Sequence, residues 1–376
     1  MNRIAIASLV LLAGTSAASA QFSLYQPIVS RTGNGTETLI NTGNDVFLDQ
    51  YNAGVAAQAS PGYTVALPVA TTTASGFTLS GAATSEGQLS MSGGASPSIV
   101  IAGYSLRSTS GSLANSTSAA VPRTVGFTSM SGTVTMGAGL TNDHSGNNIR
   151  GAASSDGSQY WTSGGNEGIR WASNTLDTTS DVVSATVTNT RNLNIFDNQL
   201  YFSTGSGSSR GVYAVGTGLP NSGPTTATNV INMGGSASPY DFLMLDLNPN
   251  VAGLDTMYVA DDRASAAGGI YRFDFNGTVW TQAYILGTGA ANVGARGLAG
   301  YVDPTGAVIL FATTGESTGA NRLIQITDTG AASPALTLAT SGTNQAFRGV
   351  EIFVPTPGAA ALVGMGTLMI GRRRRR

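Results

Sequence analysis

One unit recurs along this chain and limits what it can fold into. A charged residue, often followed by glycine, opens a short apolar strand. The six starts are Glu86, Arg150, Arg191, Asp241, Arg296 and Arg348, as in Arg150-Gly151-Ala152, Arg296-Gly297-Leu298 and Arg348-Gly349-Val350. They lie 64, 41, 50, 55 and 52 residues apart. A second strand with an aromatic or apolar centre follows most starts: Gln159-Tyr160-Trp161, Leu200-Tyr201-Phe202, Met257-Tyr258-Val259 and Ile309-Leu310-Phe311. A third often follows glycine, as in Gly168-Ile169-Arg170-Trp171, Gly211-Val212-Tyr213 and Gly269-Ile270-Tyr271. Strand–turn–strand units at this variable period are the pattern of propeller blades.

Six starts predict an all-β, six-bladed propeller over residues 21–353. Seven blades or a β-solenoid remain as alternatives, although a solenoid needs a shorter and more regular period. The last start leaves room for only one strand. Its partners are expected from the other end of the chain, at 24–31, 46–51 and 63–67. Such pairing closes the ring and removes exposed strand edges.

Composition agrees with many short strands joined by glycine-rich turns. The chain has 50 Gly among 376 residues, 41% hydrophobic residues and only 10% charged ones. It has no cysteine, which excludes disulfides, Cys-based metal sites and thiol nucleophiles. It also has no lysine, so a Walker A loop and Schiff-base chemistry are excluded. Setting aside Arg3 and the five terminal arginines leaves 12 Arg against 20 acids, a net charge of −8. An acidic body is a poor electrostatic match for nucleic acid.

The two ends read as addresses. Residues 1–20 carry Arg3, an apolar run at 4–13 and the small-x-small site Ala18-Ser19-Ala20, the three parts of a secretory signal. Cleavage is expected before Gln21. At the other end, Val354-Pro355-Thr356-Pro357-Gly358 precedes an apolar segment at 359–370, then Gly371 and Arg372, Arg373, Arg374, Arg375 and Arg376. As a helix, 358–371 would rise about 21 Å, short of the roughly 30 Å hydrocarbon core. Such a tail suits transient membrane contact, with the arginines held on the cytoplasmic side. This order of parts resembles the PEP-CTERM sorting signal, with Thr356 where that family carries Glu. The resemblance implies an exosortase-type processing enzyme as partner, and delivery to the cell surface or extracellular matrix after both ends are removed. The strand at Phe347-Arg348-Gly349-Val350 is similar to the closing strand of NHL-like secreted propellers.

Candidate chemistry in the body is sparse. Gly207-Ser208-Ser209-Arg210-Gly211 fits G-x-S-x-G, but it falls between two strands of one blade and not at a strand-to-helix elbow. His144, the only histidine, sits in a polar stretch and is expected on a surface loop. Asp246-Leu247-Asn248-Pro249-Asn250 starts like a calcium loop, yet Val251 stands where that loop needs Gly. Asp261 and Asp262 are neighbours on an extended segment and point to opposite faces. No catalytic residue, metal ligand set or cofactor is assigned, with weak Ca²⁺ binding in these loops left open. The six starts are the remaining candidate, as a ring at one mouth of the channel. They either bind an acidic sugar, since arginine forks suit carboxylates, or tie neighbouring blades together; the second reading is the expected one. The expected function is a non-enzymatic surface or matrix module for carbohydrate or protein. The alternative is a polysaccharide hydrolase or lyase acting at the channel mouth.

Overall fold

The computed structural model describes residues 21–316 and 319–355, and the expected signal segment and most of the expected tail lie outside them. The described residues form 24 strands in six four-stranded antiparallel sheets. Strands β1 (Ile28–Thr32), β2 (Val46–Gln50) and β3 (Tyr63–Ala66) belong to blade 1. Blade 2 holds β4 (Leu89–Met91), β5 (Ser98–Tyr104), β6 (Arg123–Ser129) and β7 (Val134–Met136). In blade 3 are β8 (Ile149–Ser154), β9 (Tyr160–Gly164), β10 (Ile169–Ala172) and β11 (Asp181–Ser184). Blade 4 is built from β12 (Leu193–Phe196), β13 (Gln199–Thr204), β14 (Gly211–Val215) and β15 (Ala227–Asn232). Blade 5 follows with β16 (Pro239–Leu245), β17 (Thr256–Asp261), β18 (Gly269–Phe275) and β19 (Trp280–Leu286). Blade 6 has β20 (Ala295–Val302), β21 (Val308–Thr314), β22 (Arg322–Asp328) and β23 (Ala335–Thr340). Finally β24 (Ala346–Glu351) pairs with β1 as the innermost strand of blade 1.

The innermost strands touch in one closed cycle: β24, β4, β8, β12, β16, β20 and back to β24. The architecture is therefore a six-bladed β-propeller, and the seven-bladed and solenoid alternatives fall. The closing strand is supplied from the C-terminal side, as the single strand after Arg348 requires. The first N-terminal strand begins at Ile28, later than the expected 24. Tyr25 has a left-handed φ of 61°, and Pro27 has no amide to pair.

Burial grades from axis to rim. Blade faces stack on one another, so inner strands are covered on both sides and read as continuous apolar runs. All seven residues of β21 (VILFATT) are buried. Leu298, Leu310 and Ile324 of blade 6 pack against Leu243, Tyr258 and Ile270 of blade 5 in one core cluster. The outer strands are partly solvated: β19 (WTQAYIL) buries only Leu286, and β15 exposes Thr228 and Asn232.

Close approach at the axis explains the charged-residue–glycine pairs. A Cβ on Gly297 would lie 2.8 Å from the Arg348 carbonyl oxygen, and one on Gly349 would overlap the Leu89 amide nitrogen. The ladder also slips at these positions, between Ile149 and Gly151, between Pro239 and Phe242, and between Ala295 and Leu298. Each bulge re-aims the charged residue it contains.

Candidate functional site at the channel mouth

Arg150, Asp241, Arg296 and Arg348 lie within the first half of β8, β16, β20 and β24. Glu86 and Arg191 precede β4 and β12 by three and two residues. All six thus stand at the starting end of the innermost strands, one per blade.

Their side chains are committed across blade boundaries. Arg150 of blade 3 donates from Nη1 to Asn189 Oδ1 (2.6 Å) and the Thr190 carbonyl (2.8 Å), in the segment leading to blade 4. Arg191, ahead of blade 4, donates to Ser238 Oγ (3.0 Å) and the Pro239 carbonyl (2.8 Å) of blade 5. Its guanidinium lies 3.9 Å from the centre of the Tyr240 ring. Arg296 of blade 6 pairs with Asp262 (3.1 Å), which follows β17 of blade 5, and reaches the Gly315 and Glu316 carbonyls. Arg348 donates from Nη2 to the Gly81 carbonyl (3.0 Å) ahead of blade 2. Its Nε and Nη1 are buried without a partner among the described residues. Burial pushes Arg348 down to about 10, and the neighbouring charge of Arg296 adds to this. Arg150 is also lowered to about 10, by burial and by Arg191.

The two acids are used in the same way. Glu86, fully buried, accepts from the Ser80 amide (2.9 Å) and the Tyr104 hydroxyl (2.9 Å), one bond per oxygen. Burial raises its pKa to about 7 despite these bonds and the charge of Arg348. Asp241 accepts from Asn192 Nδ2 (2.5 Å) and Asn194 Nδ2 (3.1 Å) of the blade 4 side. Its other oxygen accepts the Leu298 amide (3.1 Å) of blade 6. Burial lifts it, too, to about 7. Buried polar groups need such partners because leaving one unmade costs about 1–3 kcal/mol.

Sequence reasoning missed a second fastening device. A hydroxyl on the second strand of four blades donates to the backbone at the start of the next blade. Ser30 bonds the Gly87 carbonyl (2.6 Å), Ser163 the Arg191 carbonyl (2.5 Å), Ser203 that of Tyr240 and Thr313 that of Arg348. Three of them also accept an amide of their own blade: Gly349 to Ser30 (2.9 Å), Asn192 to Ser203 (3.2 Å) and Gly297 to Thr313 (2.9 Å). The signal was present. In three blades a hydroxyl falls one or two residues past the aromatic centre of the second strand, after Trp161, Phe202 and Phe311.

His144 departs from expectation: it is fully buried. Its Nδ1 lies 2.6 Å from the Asn166 carbonyl, and its Nε2 is 3.5 Å from Asp143 Oδ1. The polar loop folds inward because Arg123 pins it, donating from Nη2 to the carbonyls of His144 (2.9 Å), Asn147 (2.7 Å) and Ser116 (2.8 Å). Arg123 also lies 5.1 Å from the ring of Tyr104, which joins this loop to Glu86. Ser209 of the G-x-S-x-G stretch sits in the β13–β14 hairpin loop, remote in sequence from the buried His144. Asp261 caps the Ser238 amide (2.9 Å) while Asp262 faces Arg296, so the two neighbours diverge. In the 246–250 stretch, Asp255 caps the amides of Leu247 (3.1 Å) and Asn248 (2.7 Å). Among the described residues, no group of three or more His, Asp or Glu is placed to hold a metal ion. The residues expected to form the sorting motif from Thr356 onward, and Ala18 and Ala20 of the expected signal, lie outside the described residues.

No protein-family model matches this chain, and no curated protein matches it in sequence. Solved structures resemble it in fold. One is a protein assigned as a 6-phosphogluconolactonase from Bacteroides fragilis, at 11% identity and a TM-score of 0.43, covering 82% of this chain and 80% of that one. Another is the Trypanosoma rangeli sialidase in complex with the inhibitor DANA, at 10% identity and a TM-score of 0.46. It covers 82% of this chain and 55% of its own. A third is an arginine-to-alanine mutant of AofleA from Arthrobotrys oligospora, at 14% identity and a TM-score of 0.41, covering 87% and 94%. At such identity the likeness does not extend to function.

Proposed function

We propose that this protein is exported and delivered to the cell surface or extracellular matrix, where the propeller is a non-enzymatic binding or scaffold module for carbohydrate or protein. The observation that carries this reading is how the ring ends. Phe22 and Phe353 are both buried, with ring centroids 5.9 Å apart, while the flanking Gln21 and Val354 are exposed. Among the described residues, the last core residue at each end therefore belongs to the same cluster, and all six described sheets lie between them. The six described four-stranded sheets use no residue before Ile28 or after Glu351. That is what a signal cut before Gln21, and a tail cut near Val354-Pro355-Thr356-Pro357-Gly358 by an exosortase-type enzyme, would require. The mouth supports the non-enzymatic part. Glycoside chemistry uses two free carboxyl groups facing one bond, whereas Glu86 and Asp241 each use both oxygens to hold backbone or side-chain donors.

Intact-mass measurement on protein recovered from its native host tests the sorting half. The expected species begins at Gln21 and lacks the arginine tail. A mass that includes residues 358–376 would make the tail a retained anchor. A glycan array probed with the same material tests the binding half.

A further inference from the structure

The end of the propeller opposite the charged starts carries a different kind of surface. Strand β12 ends at Phe196 and turns through Asp197 and Asn198, both with positive φ (46° and 56°), into β13. Strand β16 ends nearby at Leu245. Between these two blades lies a groove of about 300 Å³. Blade 4 contributes Asp197 and Tyr201, and blade 5 contributes Met244, Phe275 and Trp280. Trp280 rests on Phe275, centroids 5.1 Å apart, and Phe196 lies 6.4 Å from Tyr201 and 5.9 Å from Phe242.

The polar groups here are not used as those at the mouth are. Gln199 is occupied, accepting from the Gly218 amide (2.7 Å) and donating to the Leu200 and Val215 carbonyls. The Asp197 carboxylate is exposed and lines the groove together with Tyr201, whose pKa is raised by burial first and by the charge of Asp197 second. Neither these nor the Trp280 indole N–H takes part in a hydrogen bond among the described residues. The groove thus offers an aromatic wall, one acceptor-only group, one donor-only group and one hydroxyl that does both. Ligand sites have this make-up, mostly apolar with a few placed polar groups.

We infer that this groove between blades 4 and 5 binds a neutral pyranose unit of a glycan, stacked on Trp280 and hydrogen-bonded to Asp197 and Tyr201. The negative face of an aromatic ring attracts the polarised C–H bonds on the flat side of a sugar. Vicinal hydroxyls donate to a carboxylate, and a ring oxygen or further hydroxyl accepts from the indole or phenol. A quaternary ammonium ion would also suit aromatic walls beside a carboxylate, but it makes no use of the indole N–H as a donor. An acidic sugar would be repelled by Asp197. This inference deepens the binding reading above and rests on it for the class of partner.

The test titrates the full chain with cellotetraose, mannotetraose and maltotetraose, following tryptophan fluorescence, with choline chloride as the cationic probe. At least one tetrasaccharide should bind. Asp197→Asn should weaken it about tenfold, the loss of a charge-assisted bond, while melting with the wild type, because Asn tolerates the left-handed conformation of that turn. Trp280→Ala should weaken it tenfold or more; since Trp280 packs on Phe275, Asp197→Asn decides the matter if the Trp280 variant fails to fold. Undiminished binding by both variants would place the sugar elsewhere and leave the broader binding reading intact. A wild-type chain that binds none of the three would overturn the groove inference, while the broader binding reading would still stand or fall by the glycan array. Tighter binding of choline, lost in Asp197→Asn, would make the groove an ammonium site and overturn the inference.

Discussion

The two ends of this propeller treat polar side chains in opposite ways. At the starting end of the inner strands, charge is plentiful and almost all of it is bonded: Arg150, Arg191 and Arg296 reach into a neighbouring blade or its connecting segment, and Glu86 and Asp241 hold amides. At the far end, between blades 4 and 5, charge is scarce, and an exposed carboxylate faces an aromatic wall. Density of charge here marks where the blades are fastened. A closed ring of six sheets must be held in register around its axis, and the groups that do so are the conspicuous ones. Groups left free to meet a ligand are fewer and, here, set at the rim.

The sharpest way to break this contrast is at Arg123, which anchors the loops around the fastened end. It is fully buried and donates to the carbonyls of Ser116, Val121, His144 and Asn147. Arg123→Ala strands these acceptors and should lower stability by about 3–5 kcal/mol, read by denaturant unfolding. A loss below about 1 kcal/mol would mean that the loops hold themselves.

A smaller effect is expected from pH. Glu86 and Asp241 have pKa values raised to about 7 from 4.5 and 3.8. A group whose pKa is raised by folding binds its proton more tightly in the folded state. The stability that Glu86 contributes is therefore full below its ordinary pKa of 4.5 and is lost as pH climbs through 7, on the order of 2 kcal/mol for this one group between pH 5 and 8. Melting curves of wild type and Glu86→Gln across this window should diverge in slope, with the variant flatter. The comparison isolates Glu86 from His144, whose pKa burial lowers and which contributes with the opposite sign. Identical slopes would show that Glu86 does not titrate there.

The hydroxyl relay gives the smallest change. Ser203→Ala leaves the Tyr240 carbonyl and Asn192 amide without their shared partner and should cost about 1 kcal/mol. A neutral result by thermal melting would assign the relay no part in fastening.

How much of this was legible in the sequence follows from how each element is buried. The inner and second strands were legible because stacking covers both faces and leaves uninterrupted apolar runs, as at Leu298, Leu310 and Met257. Outer strands such as β11 and β15 were not, since half-solvated residues like Asp181, Thr228 and Asn229 carry no alternation that separates them from loop. The composite blade was legible from the arithmetic of one unpartnered strand after Arg348. Burial of His144 was not, because it depends on Arg123, which lies 21 residues upstream and outside any motif. Nor was the groove, which joins Asp197 and Trp280 across 83 positions of sequence through blade stacking alone.

That the charged starts fasten blades and do not bind a ligand is open to a direct test. Arg150→Ala tests it most directly, because Arg150 joins blade 3 to the segment before blade 4 through Asn189 and Thr190. Melting temperature and binding of a tetragalacturonate probe are measured on the same preparation. A fastening role predicts a loss of about 1–3 kcal/mol in stability and no change in binding. An unchanged melting temperature, with galacturonate binding that is present in the wild type, lost in the variant and weakened by salt, would contradict it.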